Sequence, residues 1–116
     1  MNVISLTGNL CNDMRISYTK NGKAYLENTV GVAKDKVDKD GKRESDFIQF
    51  VAFEKKAEYL NQYAKKGDKI ELNGKLRVDN WQDSDGNYRT RSYVVVDNVK
   101  ILTSRPKETV KEEVPF

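Results

Sequence analysis

Apolar and polar positions alternate along most of this chain, which is typical of strands that bury one face. A first strand is predicted over residues 3–10, where Ile4, Leu6 and Leu10 fall on one side. A second is predicted over 23–34, and the dipeptide Asn21-Gly22 before it is a strong signal for a hairpin turn. A polar loop of mixed charge is predicted to follow over 35–44.

The third predicted strand, residues 46–53, is apolar at nearly every position, so both of its faces need cover. Phe47 and Phe53 share one face, and Ile48 and Phe50 share the other. The pattern leaves the choice between the two faces almost even. We favour the arrangement in which Phe47 and Phe53 point outward.

The period then changes to that of a helix over 55–66, where Ala57, Leu60 and Ala64 share one face. Gly67 stands where a left-handed C-cap belongs. Two further strands are predicted over 69–79, with Ile70, Leu72, Leu76 and Val78 buried, and over 88–102. The glycines inside strands, Gly8 and Gly74, indicate bends or close backbone approaches.

Five strands with one short helix between the third and the fourth follow the order of an OB-fold, a five-stranded Greek-key barrel. The sequence therefore predicts an all-β domain over residues 1–102 with this architecture. An SH3-like barrel and a β-sandwich fragment are the alternatives that the pattern leaves open. Residues 103–116 lack core positions and are expected to form a short disordered tail.

Composition narrows the cellular setting. The chain has 116 residues, of which 34% are charged, yet its net charge is only +3, a mild bias towards polyanions. Its one cysteine, Cys11, excludes an internal disulfide and fits a reducing compartment. No apolar stretch approaches the roughly 20 residues that span a bilayer, and no signal peptide is visible. A cytoplasmic protein without membrane contact is expected.

Catalytic and metal chemistry find little support in the sequence. Histidine, the commonest general acid and base, is absent. The segments 38–41 and 83–86 resemble part of a calcium loop, but the first ligand position would fall on Lys36 and Trp81. Hairpin turns are the better interpretation. The protein is therefore expected to be no enzyme and to hold neither a cofactor nor a metal.

The strongest functional signal is the hairpin formed by the last two predicted strands. Trp81 precedes its turn, and Tyr88, Arg89 and Arg91 follow it. Flat rings interleaved with cations suit unpaired nucleobases, because rings stack on bases while guanidinium groups meet phosphates. The cations on the two hairpins that such a ligand would cross are the candidate phosphate contacts. They include Lys34, Arg77, Arg89 and Arg91.

Motifs in the same order and spacing resemble those of bacterial-type single-stranded DNA-binding proteins. The segment 6–10 with Asp13 resembles the opening motif V-G-N-L-x-x-D-P, and 46–53 resembles E-W-H-R-V-V-L-F. The segment 74–77 followed by 81–83 resembles G-x-L-R…W-x-D. This resemblance covers nearly the whole chain.

The resemblance implies base stacking by Phe47, Phe53 and Trp81, and basic positions near the DNA path at Lys66 and Arg77. It implies a homo-oligomer, a tetramer in the family pattern, although Ile48 replaces a histidine common at a subunit contact; a dimer is the alternative. The end of the chain resembles an acidic tip that recruits replication and recombination proteins. The tip comprises Glu112, Glu113, Val114, Pro115 and Phe116.

The function expected from these signals is the coating of single-stranded DNA, with little sequence preference, during replication, recombination and repair. The short tail favours a bacteriophage member of the family, acting in the cytoplasm of a bacterial host. Two rival functions stay open. One is an RNA-binding OB module, and the other is a protein-interaction OB domain of a replication complex.

Overall fold

Six strands and one helix form within residues 1–103, the part of the chain that the computed structural model describes. Their bounds are β1 (Ile4–Leu10), β2 (Ile16–Tyr18), β3 (Ala24–Val37), β4 (Arg43–Phe53), α1 (Lys55–Tyr63), β5 (Lys69–Gln82) and β6 (Tyr88–Ile101).

The strands lie in the order β1-β5-β6-β4-β3-β2, and β1 also pairs with β3. That extra pairing closes a five-stranded barrel, to which the short β2 is added along β3. All pairs are antiparallel except β4 and β6. The helix α1 lies between the third and fourth barrel strands, as predicted, so the OB-fold is confirmed.

The barrel interior is filled by the apolar faces that alternation predicted. Its largest fully buried side chains include Leu26, Phe50, Leu60 and Ile70. On β4 the even choice is settled, because Phe50 is 0% exposed while Phe47 is 70% exposed. The prediction that Phe47 points outward is therefore confirmed.

Two glycines allow the barrel strands to approach each other closely. A Cβ atom on Gly8 would collide with the carbonyl group of Gly31 on β3, at the point where β1 changes partner from β5 to β3. A Cβ atom on Gly74 would collide with the carbonyl oxygen of Val95, where the register of β5 against β6 shifts. Glycine is required at both positions, because a Cβ atom would collide with backbone atoms, which cannot move aside.

Three details of the sequence prediction are wrong. The segment 35–44 is largely strand, because β3 and β4 continue into a long hairpin. The helix ends at Tyr63, and Ala64 is its extended C-cap, so Gly67 is not the cap. Beyond Gly74, the hairpin of β5 and β6 leaves the barrel, so the apolar side chains of Leu76 and Val78 stay 41% and 50% exposed.

The three hairpins of the barrel turn in the same way. In each, a tight turn ends on a glycine of positive φ, at Gly22, Gly41 and Gly86. The Oδ1 atoms of Asp38 and Asp83 each accept two backbone N–H groups of their own turn. The interpretation of 38–41 and 83–86 as hairpin turns is confirmed, since these carboxylates hold the turn itself.

Glu54 connects β4 to α1 in a conformation that suits glycine. Its φ is 53° and its ψ is −121°, and its N–H donates to the carbonyl oxygen of Ala24 at 2.8 Å. A side chain at such an angle stores strain of about 1–3 kcal/mol. Its carboxylate gains little in return, since it lies 3.8 Å from Lys23 Nζ in an exposed ion pair.

We therefore expect Glu54→Gly to raise the free energy of unfolding by about 1 kcal/mol, or roughly 4–8 °C in Tm. Thermal and urea unfolding would measure the change. Glu54→Gln is the matched control, because it removes the same charge but keeps the Cβ atom. Equal stability of the Gly and Gln variants would show that the backbone at residue 54 carries no strain.

Candidate functional site

The register of four strands places most of the predicted stacking and cationic residues on one outer surface. Across β3 and β4, Tyr25 is opposite Phe53 and Gly31 is opposite Phe47. Across β5 and β6, Arg77 is opposite Tyr93, Asp79 is opposite Arg91 and Trp81 is opposite Arg89. The pairing of Val51 with Val95 joins these two hairpins side by side. We call this surface the aromatic face; its rings are Tyr25, Phe47, Phe53, Trp81 and Tyr93.

Phe47 lies at the β1 side of the aromatic face. Its ring covers Gly31, where an added Cβ atom would lie 3.3 Å from the ring and 3.5 Å from Cys11 Sγ. The glycine thus leaves room for a flat ring to lie against the backbone of β3. One side of the ring is covered by protein, and the other is open to a ligand.

Phe53 and Tyr25 line a groove of about 290 Å³ in the middle of the face. Their ring centroids are 6.4 Å apart with an interplanar angle of 41°, and Lys23 Nζ lies 4.8 Å from the centre of the Phe53 ring. Val51 and Tyr93 form other parts of the wall. An apolar floor with cations above aromatic rings suits a planar ligand that carries negative charge.

Arg91 crosses this groove and is held by three strands. Its Nε donates to Gln49 Oε1 at 3.1 Å, and its Nη2 donates to Glu27 Oε2 at 3.3 Å. Its guanidinium carbon lies 4.8 Å from the centre of the Tyr93 ring. The Tyr93 hydroxyl in turn donates to the Asp79 carboxylate, and that bond raises the pKa of Tyr93 above its ordinary value.

Trp81 and Arg89 lie near the tip of the protruding hairpin. Arg89 Nε donates to Asp83 Oδ2 at 2.9 Å, and this bond is the main reason that the pKa of Asp83 falls below its ordinary value. The backbone N–H groups of Asn87 and Asp85 lower it further. The Trp81 ring stays about half exposed on the same surface.

Two predicted residues, Tyr88 and Lys34, lie outside the aromatic face. Tyr88 is opposite Gln82, so it lies on the other side of the hairpin from Trp81, with Leu76 and Val78. Lys34 contacts Glu44 at 3.4 Å and Asp46 at 3.7 Å, and Asp46 pairs with Val32 rather than with a residue of the aromatic face.

Lys66 lies in the segment between α1 and β5, which contacts β1. The neighbouring Gly67 donates to the Leu10 carbonyl and accepts from Asn9 Nδ2, and Asn9 pairs with Gly31. The backbone of Lys66 is thus close to the β1 side of the aromatic face, near Phe47. The tip residues 112–116 lie outside the described residues.

Sequence reasoning missed Glu27 and Gln49, the two acceptors that hold Arg91. Glu27 lies two residues after Tyr25 on β3, and Gln49 lies two residues after Phe47 on β4, so these side chains point to the same side as the rings. The prediction that Phe47 points outward would therefore have placed both on the aromatic face. Their contact with Arg91 needed the parallel pairing of β4 with β6, for which the sequence carries no local signal.

Within the part of the chain that the structure describes, Lys23, Lys34, Arg89 and Arg91 form exposed ion pairs with carboxylates. No three histidine, cysteine, aspartate or glutamate side chains converge there as metal ligands would. In the same residues, no helix has the length and apolar character needed to cross a membrane.

Comparison with known proteins identifies relatives along almost the whole described region. A model of the single-strand binding protein family matches residues 1–102. Single-stranded DNA-binding protein 2 of Listeria innocua is 35% identical over 105 residues, 90% of this chain and 66% of the relative. The single-stranded DNA-binding protein of Streptococcus mutans is 32% identical over 105 residues, 90% of this chain and 64% of the relative.

A relative from Borreliella burgdorferi with the same name is 34% identical over 108 residues, 90% of this chain and 71% of the relative. The chain thus spans just under two thirds of the Listeria and Streptococcus relatives. These are binding proteins rather than enzymes, so the expectation of a non-enzymatic protein is confirmed.

The Asp83–Arg89 contact gives a pH prediction for the hairpin tip. Because the folded-state pKa of Asp83 is depressed below 3.8, its carboxylate stabilises the fold above that pH and loses this effect as the pH falls through the folded value. We expect Arg89→Gln to raise the pKa of Asp83 towards its ordinary value, as followed by carboxyl-carbon NMR. Lys75→Gln, on the same strand pair, is the control. An unchanged Asp83 titration in Arg89→Gln would contradict the assignment.

Proposed function

Because the chain belongs to the single-strand binding protein family, we propose that it binds single-stranded DNA across the aromatic face. Bases stack on Phe47, Phe53 and Trp81, and phosphates follow Arg77, Arg89, Arg91 and Lys66. The observation that carries this proposal is the exposed ring of Phe47, supported from below by Gly31. A ring of that size on a small domain loses favourable burial unless a ligand covers it.

The choice of single strands follows from the geometry of the rings. Duplex bases are already stacked and cannot lie against protein rings, whereas unpaired bases have both faces free. Each stacked base contributes about 1–3 kcal/mol. Three rings therefore outweigh the modest attraction expected from a net charge of +3.

The wider role in this proposal is the coating of single strands during replication, recombination and repair, with little sequence preference. The tip 112–116 recruits partner proteins of those processes. The chain assembles as a homo-oligomer, a tetramer or a dimer, since one OB-fold covers only about 4–16 nucleotides. Exposed apolar side chains of Val3, Leu76 and Val78 support contact between copies.

Quenching of Trp81 fluorescence by poly-dT tests the binding site directly, because Trp81 is the only tryptophan of the chain. We expect strong quenching at low salt that weakens as salt rises. Poly-U in the same titration separates DNA from RNA binding. Unchanged fluorescence with every polymer would favour the protein-interaction alternative.

Single substitutions test which rings stack. We expect Phe47→Leu, which keeps apolar cover over Gly31 but removes the ring, to weaken poly-dT binding about 5- to 100-fold. Tyr88→Ala is the matched comparison, because it removes an exposed ring from the other side of the hairpin. We expect a change below about twofold for it. Equal losses would show that the DNA path includes both sides.

A further inference from the structure

Glu27 places a carboxylate at the centre of the aromatic face. It lies in the central groove with Tyr25, Phe53 and Tyr93, on the surface proposed to bind a polyanion. Its Oε2 atom is 3.3 Å from Arg91 Nη2. A negative charge at this place repels phosphate, and it also pairs with a cation that a phosphate would contact.

Arg91 is the cation that this carboxylate occupies. A guanidinium group carries five N–H donors in a planar fork that matches phosphate as well as carboxylate. In the free protein, one donor is used by Glu27 and another by Gln49. A phosphate that approached Arg91 would therefore find the Glu27 carboxylate already in contact with the guanidinium group.

The ion pair can exchange partners because it is not buried. The side chain of Arg91 is 38% exposed and that of Glu27 is 52% exposed. Exposed ion pairs of this kind contribute at most about fivefold to an equilibrium constant. Gln49 and the Tyr93 ring would hold Arg91 in place while Glu27 turns away, since neither contact depends on the carboxylate.

We propose that Glu27 competes with a nucleic-acid phosphate for Arg91, so that binding of a single strand opens the Glu27–Arg91 ion pair. Glu27 is then a residue that limits affinity. This inference rests on the proposed function of the aromatic face. In this exchange, Arg91 changes its partner from the Glu27 carboxylate to a phosphate.

The exchange has a signature in the dependence of binding on salt. A phosphate that meets a free arginine releases a counterion and adds about −0.7 to the log-log salt slope on a single strand. A phosphate that displaces Glu27 leaves a free carboxylate that gathers a counterion of its own. The contact between Arg91 and phosphate therefore adds little to the salt slope in the native protein. Once residue 27 is neutral, the same contact adds the full value of about −0.7.

The test is a double-mutant cycle on Glu27 and Arg91, measured by anisotropy of labelled oligo-dT over a range of salt concentrations. We expect E27Q to tighten binding about two- to fivefold at low salt and to steepen the slope by about 0.7. R91Q should weaken binding. In the R91Q background, the gain from E27Q should be smaller, because the ion pair is gone and only the direct repulsion between the Glu27 carboxylate and phosphate remains.

The control is E71Q, which makes the same charge change on the other side of the barrel, where Glu71 pairs with Thr7 and Lys100. An equal gain for E71Q, or an undiminished gain for E27Q in the R91Q background, would overturn the proposal in favour of general charge repulsion. Glu27→Thr is a second variant, with a residue suited to strands, should E27Q unfold.

The two proposals fail in different ways. If the native protein does not bind oligo-dT at all, the proposed function falls. If the native protein binds and E27Q binds no more tightly, the function stands and only the competition between Glu27 and phosphate is refuted.

Discussion

The close approach of β1 to β3 is the constraint on which the rest of the structure depends. Gly8 lies against the carbonyl group of Gly31, with no room for a Cβ atom on Gly8. At this point β1 leaves β5 and pairs with β3, which closes the barrel over Leu26, Phe50 and Ile70. On the outer surface of the barrel, the Phe47 ring lies against Gly31. One backbone contact therefore closes the core and shapes the surface proposed to bind DNA.

The electrostatics of that surface are those of paired charges rather than of a bare cationic stripe. Arg89 is held by Asp83 and Arg91 by Glu27, and both contacts lie on exposed strands. At Arg89 and Arg91, a phosphate of the proposed ligand would compete with a carboxylate that is already present. In the proposed function, stacking is then the larger source of affinity, and these ion pairs reduce the dependence of affinity on salt.

The long hairpins explain why apolar residues occur on both sides of strands that leave the barrel. Beyond Gly74 there is no core beneath β5, so Leu76 and Val78 face solvent on one side and Trp81 lies on the other. Within the barrel, alternation separates inside from outside. On the hairpin it separates two surfaces, of which one is proposed to bind nucleic acid and the other to contact a second copy.

The sequence alone determined the order of the barrel strands, the single helix and the turns at Gly22, Gly41 and Gly86, because period, turn chemistry and glycine positions are local properties. It left the outward face of β4 almost even, and burial of Phe50 decided it. The tertiary structure decided that Leu76 and Val78 are exposed. It also decided that Tyr88 and Trp81 lie on different sides of the hairpin. It also brought Glu27 to Arg91, which is 64 residues away along the chain. Such pairings depend on how the hairpins join through β4 and β6, and no local pattern encodes that contact.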